Sequence, residues 1–370
     1  MISVSVKKQY PESCIEIVFD ILRPGISALF GKSGAGKTSI INMIAGLTTP
    51  DKGQITLKDR ILFDSNLDIN LQPELRKIGY IFQQPRLFPH LSVQKNLLFG
   101  WNRRSPSERI IGFSEVVDFL GIANLLERAP FELSGGEAQL VQFGRAILTN
   151  PELLLMDEPL SSLDNNRRRE IIPFIARLRD EFNIPILYVT HSMEEIIQLA
   201  DYLLLIENGS LFASGSVEDL TTRLELLSVI GSYEVGTIIN GKIEKQDQKY
   251  NLTHLSFEGG VLKVPFIAKP ISTKVRLRIR ASDISISTMP LLSASELNIF
   301  PGKVIEISSK LPNANPYRVV KIDIGVQLLA QLTTLSIEQL CLEPGGKIYA
   351  TIRTSFRDFV YQETSKSDKF

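Results

Sequence analysis

Over roughly the first 215 residues the apolar positions switch repeatedly between two spacings. In residues 14–20, apolar Ile15, Ile17 and Phe19 alternate with polar Glu16 and Asp20, the period-two pattern of a strand with one buried face. Residues 25–30 form a short apolar run that stops at a glycine-rich loop. The following stretch, Lys37–Ala45, places Ile40, Ile41 and Ile44 on one helical face, with Gly46 positioned to end the helix. That order predicts strand, loop, helix. A turn at residues 50–53 introduces a strand over 54–57. Two uninterrupted apolar runs, 153–156 and 184–189, end in Asp157-Glu158 and Thr190-His191, as suits parallel strands buried on both faces. Between them, Asn165–Phe182 carries Ile171, Ile172, Phe174, Ile175 and Leu178 at helical spacing behind an arginine-rich start. The repeated strand-helix order predicts an α/β unit with a parallel sheet.

After about residue 227 the helical pattern gives way to short alternating runs. In Lys274–Arg280, Val275, Leu277 and Ile279 face one way and the basic residues the other, and residues 347–353 repeat the style about seventy positions later. Such runs, separated by Gly, Pro and Asn turns, predict a small barrel or sandwich, with the two runs hinting at a duplicated β unit. The expected organisation is an α/β unit at 1–220, a linker at 221–232, a first β unit at 233–290, a second at 291–357, and a polar, fraying tail at 358–370.

Composition narrows the class. Hydrophobic residues make up 44% and charged residues 22%, which excludes disordered, collagen-like and coiled-coil chains. With 41 basic and 41 acidic side chains the formal charge is zero, so no global field draws the chain to nucleic acid, and no nucleic-acid partner is expected. The longest uncharged stretch, 324–337, has 14 residues, short of the roughly 20 apolar residues of a spanning helix. Lys7 and Lys8 precede no apolar run, and the two cysteines, Cys14 and Cys341, lie far apart, so a reducing, cytosolic setting is expected. His90, His191 and His254 are near neither a cysteine nor one another, which argues against a histidine-based zinc site.

The chemistry concentrates in the first unit. Gly31, Lys32, Ser33, Gly34, Ala35, Gly36, Lys37 and Thr38, followed by Ser39, fit GxxxxGK[ST] between a strand and a helix. Alone, the run is a glycine-rich turn with a helix cap. In this context its backbone amides curl around phosphate oxygens, Lys37 reaches the β and γ phosphates, and Thr38 offers a hydroxyl to Mg²⁺. Asp157 and Glu158 close an apolar strand, at the sheet edge where α/β ligands bind. One acid there can support the metal and the other accept the proton of an attacking water, although an Asp-Glu pair after a strand by itself reads as a helix start. Ser134, Gly135 and Gly136, ahead of Glu137 and a helix-like stretch, offer a second anion-binding turn or a helix cap.

Two phosphate cradles, an acidic strand end and His191 at another strand end together resemble the ATP-binding cassette family. Gln83 looks like the glutamine of its Q-loop, and residues 161–164 resemble its D-loop, all in the family's order within about 215 residues. The resemblance implies an α/β P-loop NTPase that binds ATP and Mg²⁺. Lys37 and Thr38 would bind phosphate and metal, Asp157 and Gln83 would support the metal, and Glu158 would be the general base. His191 and Gln83 would face the γ-phosphate. It further implies that the signature Ser134, Gly135, Gly136 and Glu137 closes on ATP at the P-loop of a second copy, that Asp164 lies at the dimer contact, and that an aromatic, Tyr10, stacks on adenine. Ala138 and Leu140 depart from the common pattern, in which Lys or Arg is frequent.

Lys37 and Ser134 are 97 positions apart, room for a compact helical subdomain and not for the coiled coils of DNA-repair cassettes. Residues 83–93 resemble the importer form, which receives a helix from a membrane permease. In the β region, Ser295, Asn298, Gly302 and Val304 fit the S-x-x-N-x-x-x-G-x-V opening of molybdate-binding Mop modules, and residues 333–352, with Thr333 and Ser336, resemble their closing segment. Hydroxyls and backbone amides suit an oxyanion; the same residues also serve as turn caps. The whole chain therefore resembles the ATP-binding subunits of molybdate importers. The resemblance implies a mostly β, OB-like C-terminal regulatory domain, a homodimer peripheral to the cytoplasmic side of the inner membrane, permease subunits, and a periplasmic or extracellular binding protein. It also implies molybdate or tungstate in the C-terminal domain. The alternatives are an importer ATPase for another small anion or solute, and an oxyanion-sensing ATPase whose C-terminal domain is a sensor or store.

Overall fold

The computed structural model describes residues 1–22, 24–161, 163–226, 236–290, 298–309, 316–353 and 359–361. Ser295, half of the expected linker (227–232) and most of the expected tail lie outside the described residues. The chain divides into two compact units, Met1–Ser216 and Val217–Phe370.

In chain order the first unit contains β1 (Ile2–Gln9), β2 (Cys14–Ile21), β3 (Ile26–Phe30), α1 (Lys37–Ala45), β4 (Lys52–Leu57), β5 (Arg60–Asp64), β6 (Ile69–Asn70) and β7 (Ile78–Ile81). It continues with α2 (Val93–Trp101), α3 (Phe113–Leu120), α4 (Gly135–Ile147), β8 (Leu153–Asp157), α5 (Asn165–Phe182), β9 (Ile186–Thr190), α6 (Met193–Leu199), β10 (Tyr202–Glu207) and β11 (Ser210–Ser216). One sheet runs β11-β10-β3-β9-β8-β7, with parallel pairing from β10 to β7. Every residue of β3, β8 and β9 is buried, which is why these strands read as unbroken apolar runs. A second, antiparallel sheet, β2-β1-β4-β5-β6, buries alternate residues of β1 and β2. Helix α1 shares one core with both sheets, through Ile40, Ile41, Met43 and Ile44.

The carboxyl end of α1 is fixed by a residue with no signal in the sequence. Arg76 is fully buried and its guanidinium donates to the carbonyls of Met43 (2.9 Å), Ile44 (2.8 Å) and Leu71 (2.8 Å), and to Asn70 Oδ1 (2.8 Å). A cation on the last carbonyls of a helix satisfies groups that lack intrahelical partners and complements the helix dipole. Burial lowers its pKa to about 10, so it remains charged at neutral pH.

The second unit contains α7 (Val217–Thr221), β12 (Gly236–Asp247), β13 (Leu252–Phe257), β14 (Gly260–Pro265), β15 (Lys274–Arg280), β16 (Ile284–Ser287), β17 (Ile299–Ile307), β18 (Tyr317–Asp323), β19 (Gln327–Thr333), α8 (Thr334–Gln339), β20 (Lys347–Ile352) and β21 (Phe359–Tyr361). Two antiparallel sheets, β14-β13-β12-β15-β21 and β16-β20-β17-β18-β19, share an apolar core. This unit is mostly β, as expected, with three departures in detail. Strand β16, within the first expected β unit, pairs with β20 of the other sheet. Strand β21, within the expected tail, pairs with β15. The basic face of β15 is not uniformly solvated: Arg276 is 2% exposed, and its Nη2 lies 2.8 Å from Glu218 of α7. An acid brought in from another element makes that burial possible, which strand periodicity alone does not reveal.

Candidate nucleotide site

The phosphate loop leaves β3 at Phe30 and enters α1 at Lys37. A Cβ at Gly31 would lie 2.3 Å from the Ile206 carbonyl oxygen, and Gly36 has φ 96°, so both positions demand glycine. Lys37 is buried, and its Nζ donates to the carbonyls of Gly31 (2.8 Å) and Lys32 (3.0 Å), bending back across the loop. Burial lowers the Lys37 pKa, against the pull of Glu158 and Asp157. Thr38 Oγ1 donates to Asp157 Oδ1 at 3.1 Å. Tyr80 donates to Asn42 Oδ1 at 2.9 Å and lies 3.4 Å from Asp157 Oδ2. Burial raises the Asp157 pKa, partly offset by the Thr38 hydrogen bond. Beside the loop opens a cavity of about 710 Å³ lined by Tyr10, Cys14, Gly34, Gly36, Ser39 and Asn208. Tyr10 thus stands on the wall of the space next to the phosphate loop.

Glu158 follows the end of β8 with φ 44°, an uncommon conformation for a side-chain-bearing residue. Its amide donates to the Val189 carbonyl at 3.0 Å, and its Oε1 lies 3.3 Å from His191 Nδ1. The two strand-end residues singled out from the sequence therefore meet. Gln83 Nε2 donates to Ser161 Oγ at 3.2 Å, and Ser161 Oγ to the Glu158 carbonyl at 2.8 Å. The Q-loop glutamine is thereby linked through the D-loop to the backbone of Glu158.

Two supporting residues escape sequence reasoning. Glu195 is buried and accepts from Tyr188 (2.8 Å) and Thr190 (2.7 Å), while Thr190 Oγ1 accepts from the Ser192 amide at 3.0 Å. These bonds brace the turn that carries His191. Gln142, on α4, is 1% exposed; its Nε2 donates to the Phe82 carbonyl (2.9 Å) and its Oε1 accepts from the Arg86 amide (3.1 Å). One side-chain amide thus pins both flanks of Gln83. The only sequence signal was a polar residue at a core position of an amphipathic helix.

At the signature, Ser134 caps α4. Its Oγ accepts from the Glu137 amide (3.4 Å), and the Glu137 carboxylate accepts from the Ser134 amide (2.7 Å), a reciprocal capping box. Those bonds hold the Glu137 pKa down. Asp164 caps α5, accepting from the amides of Asn166 (3.0 Å) and Arg167 (3.1 Å), and the same bonds depress its pKa. None of the described hydrogen bonds of Ser134 reaches the phosphate loop.

Among the described residues, Asn298 does not meet Thr333 or Ser336 within one copy. Asn298 is buried at 3% exposure, with Oδ1 accepting from the Lys263 amide (2.7 Å) and Nδ2 donating to its carbonyl (2.8 Å). Thr333 and Ser336 bond each other (2.8 Å) at the cap of α8. Asn298 precedes β17, whereas Thr333 ends β19 opposite Tyr317, beyond the other end of β17. At about 3.3 Å per residue over roughly eleven positions, this separates them by on the order of 35 Å along the strands.

Residues 16–161 match the family model for ABC transporters. The chain is 45% identical over 332 residues to the molybdenum import ATP-binding protein ModC of Paramagnetospirillum magneticum, covering 89% of this chain and 90% of the relative. Its fold is similar to that of cbiO1 from Clostridium perfringens, part of the ABC transporter complex cbiONQ, with a TM-score of 0.53 at 24% identity over 61% of this chain and 92% of that one. It is similar also to a bacterial ABC transporter cassette whose structure is dimeric, with a TM-score of 0.50 at 24% identity over 59% and 99%. The chain belongs to the ABC transporter ATP-binding proteins, in the family of the molybdenum import ATP-binding proteins.

Proposed function

We infer that the chain is the ATP-hydrolysing subunit of a molybdate importer, working as a head-to-tail pair beneath membrane permease subunits. The observation that carries the ATPase reading is the joined set of Lys37 on the phosphate loop, Thr38 bonded to Asp157, and Glu158 beside His191. Molybdate as the cargo rests on the relatives of that name and on the Mop-like pattern. Among the described residues no helix is long and apolar enough to cross a membrane, so those residues contribute no helical span. A place on the cytoplasmic face of the membrane accords with an ATPase role, since ATP is cytosolic.

The residues divide the work. Lys37 exchanges its two carbonyl partners for the β and γ phosphates, a charge-assisted contact. The paired oxygens of Thr38 and Asp157 fit a hard divalent cation, and Gln83, tethered to Ser161, is the third donor. Bound there, Mg²⁺ neutralises charge on the phosphate oxygens. Glu158 takes the proton of the attacking water, held in place by its amide bond to Val189, and His191 lies where it can steady the γ-phosphate. Ser134 and the amides of Gly135 and Gly136 receive ATP from a second copy, with Asp164 at that contact and Tyr10 against the adenine.

Both polar ends of Asn298 are engaged by Lys263 and it lies apart from Thr333 and Ser336, so an oxyanion site that used all three would form between two copies. The test of the ATPase reading is Glu158→Gln, which preserves shape and removes the base. With MgATP this variant accumulates as a dimer on gel filtration while turnover collapses; hydrolysis at the parental rate would refute the assignment.

A further inference from the structure

Arg167 belongs to none of the motifs that the function absorbs. It sits three residues beyond Asp164 in the first turn of α5, yet its guanidinium reaches the start of α4. There Nη1 donates to Ser134 Oγ at 3.0 Å while Nε lies 3.5 Å from Asp164 Oδ2. The amino end of a helix carries positive potential and attracts anions. A guanidinium held there is repelled unless negative charge is shared. Glu137 offsets part of this, but its carboxylate already caps Ser134 and lies 3.8 Å from Arg128. Asp164 offsets part, but it is spent on the amides of α5 and is well exposed to solvent. The turn also makes room for the cation: a Cβ at Gly136 would stand 2.9 Å from Arg167 Nη1. A planar cation, a hydroxyl and a helix amino end thus converge on one spot, a donor set that matches a phosphate group.

We propose that Arg167 acts in trans, receiving together with Ser134 the terminal phosphate of ATP held at the P-loop of a second copy. This rests on the head-to-tail reading above. In the single chain the guanidinium is parked between Ser134 and Asp164; the more highly charged phosphate draws it away from Asp164. Arg167 then reports through the first turn of α5 to the D-loop, which is bonded to both Gln83 and Glu158.

The experiment uses the full chain carrying Glu158→Gln and measures, by analytical ultracentrifugation, the MgATP concentration that half-dimerises it. Adding Arg167→Ala should raise that concentration about tenfold or more, the scale of losing a charge-assisted bond to phosphate. Arg167→Lys, which keeps the charge without the fork, should fall between. Dimerisation should also become less sensitive to salt. Thermal melting checks the fold of each variant, and Arg167→Gln supplies a neutral polar replacement should the alanine variant melt early. An unchanged half-dimerising concentration in Arg167→Ala or Arg167→Gln, whatever the melting temperature, overturns the proposal and leaves Arg167 a structural link. Absence of a dimer in Glu158→Gln with Arg167 intact overturns the head-to-tail reading itself.

Discussion

Replacing Gln142 by alanine removes the buried amide that pins both sides of Gln83. The Phe82 carbonyl and the Arg86 amide each lose a partner in a place where Gln142 itself is 1% exposed. A fully buried backbone group left unpaired costs about 1–3 kcal/mol; these two bonds are only part-buried, so the pair falls in the lower part of the doubled range, roughly 2–4 kcal/mol, if the loop stays in place. The loop escapes that cost by opening. The other end of the segment is held separately, since Asn96 accepts from the Phe88 amide (2.8 Å) and donates to the carbonyls of Phe88, Leu91 and Ser92. Opening should therefore be confined to the stretch around Gln83 and Arg86. Amide hydrogen exchange reads it directly: at about 1.4 kcal/mol per factor of ten, the Arg86 amide should exchange roughly 30-fold to several hundred-fold faster, with Leu91 and the α2 amides unchanged. ATP turnover should fall with little change in nucleotide affinity, because the phosphate loop is untouched. Gln142→Glu sharpens the test. Its carboxylate still accepts from Arg86, but only the protonated form can donate to Phe82, so the folded state raises its pKa. The stabilisation is then present at low pH and lost as pH rises through the folded pKa. Arg86 exchange at the parental rate in Gln142→Ala, after correction for intrinsic rates, would refute the clamp.

Three more outcomes are expected from contacts of the same kind. Arg76→Met strands the carbonyls of Met43, Ile44 and Leu71 and should cost roughly 3–5 kcal/mol, seen as a fall of about 10 °C in the first thermal transition; an unchanged melt would show that solvent replaces the guanidinium. Asp157 has its pKa raised by burial, so it stabilises the fold in the protonated form and loses that contribution as pH rises through its folded pKa. Asp157→Asn should accordingly raise the melting temperature of the nucleotide-free chain at pH 7 but not near pH 4, while lowering ATP turnover; equal effects at both pH values would contradict this. Lys37→Ala should weaken ATP binding at least tenfold in calorimetric titration, and unchanged affinity would remove the phosphate-loop reading.

Much of the cassette was legible because its elements are each specified locally. The fully buried strands β3, β8 and β9 announce themselves as apolar runs, and the residues that end them, Gly31, Asp157-Glu158 and Thr190-His191, carry chemistry at the sheet edge where a parallel fold concentrates it. Glycines at positive φ mark the phosphate loop. What stayed hidden are the side chains whose meaning depends on a partner far along the chain. Arg76 is 33 positions from Met43, Gln142 is 60 from Phe82, and Arg167 is 33 from Ser134. In sequence each is a polar residue on a helix or in a loop, and only the tertiary fold reveals the carbonyl or hydroxyl it satisfies.

In the C-terminal unit the local pattern leaves the role of such side chains open, and the fold shows what each one bonds within a single copy. A hydroxyl or amide side chain can serve equally as a ligand donor or as a cap, and the choice depends on whether a backbone group competes for it. At Asn298 the competitor is present, because Lys263 offers both an amide and a carbonyl at hydrogen-bond distance. The side chain thereby ties β14 to the start of β17. At Thr333 the competitor is the Ser336 amide at 3.1 Å. Asn298→Ala should therefore act first on the fold, destabilising the unit by about 2–3 kcal/mol through the loss of its two hydrogen bonds to the Lys263 backbone. In an oxyanion titration of the full chain, a loss of molybdate binding by this variant with an unchanged melting temperature would reverse the assignment and make Asn298 a ligand. A loss of stability with binding retained places any oxyanion site elsewhere, at donors that two copies bring together.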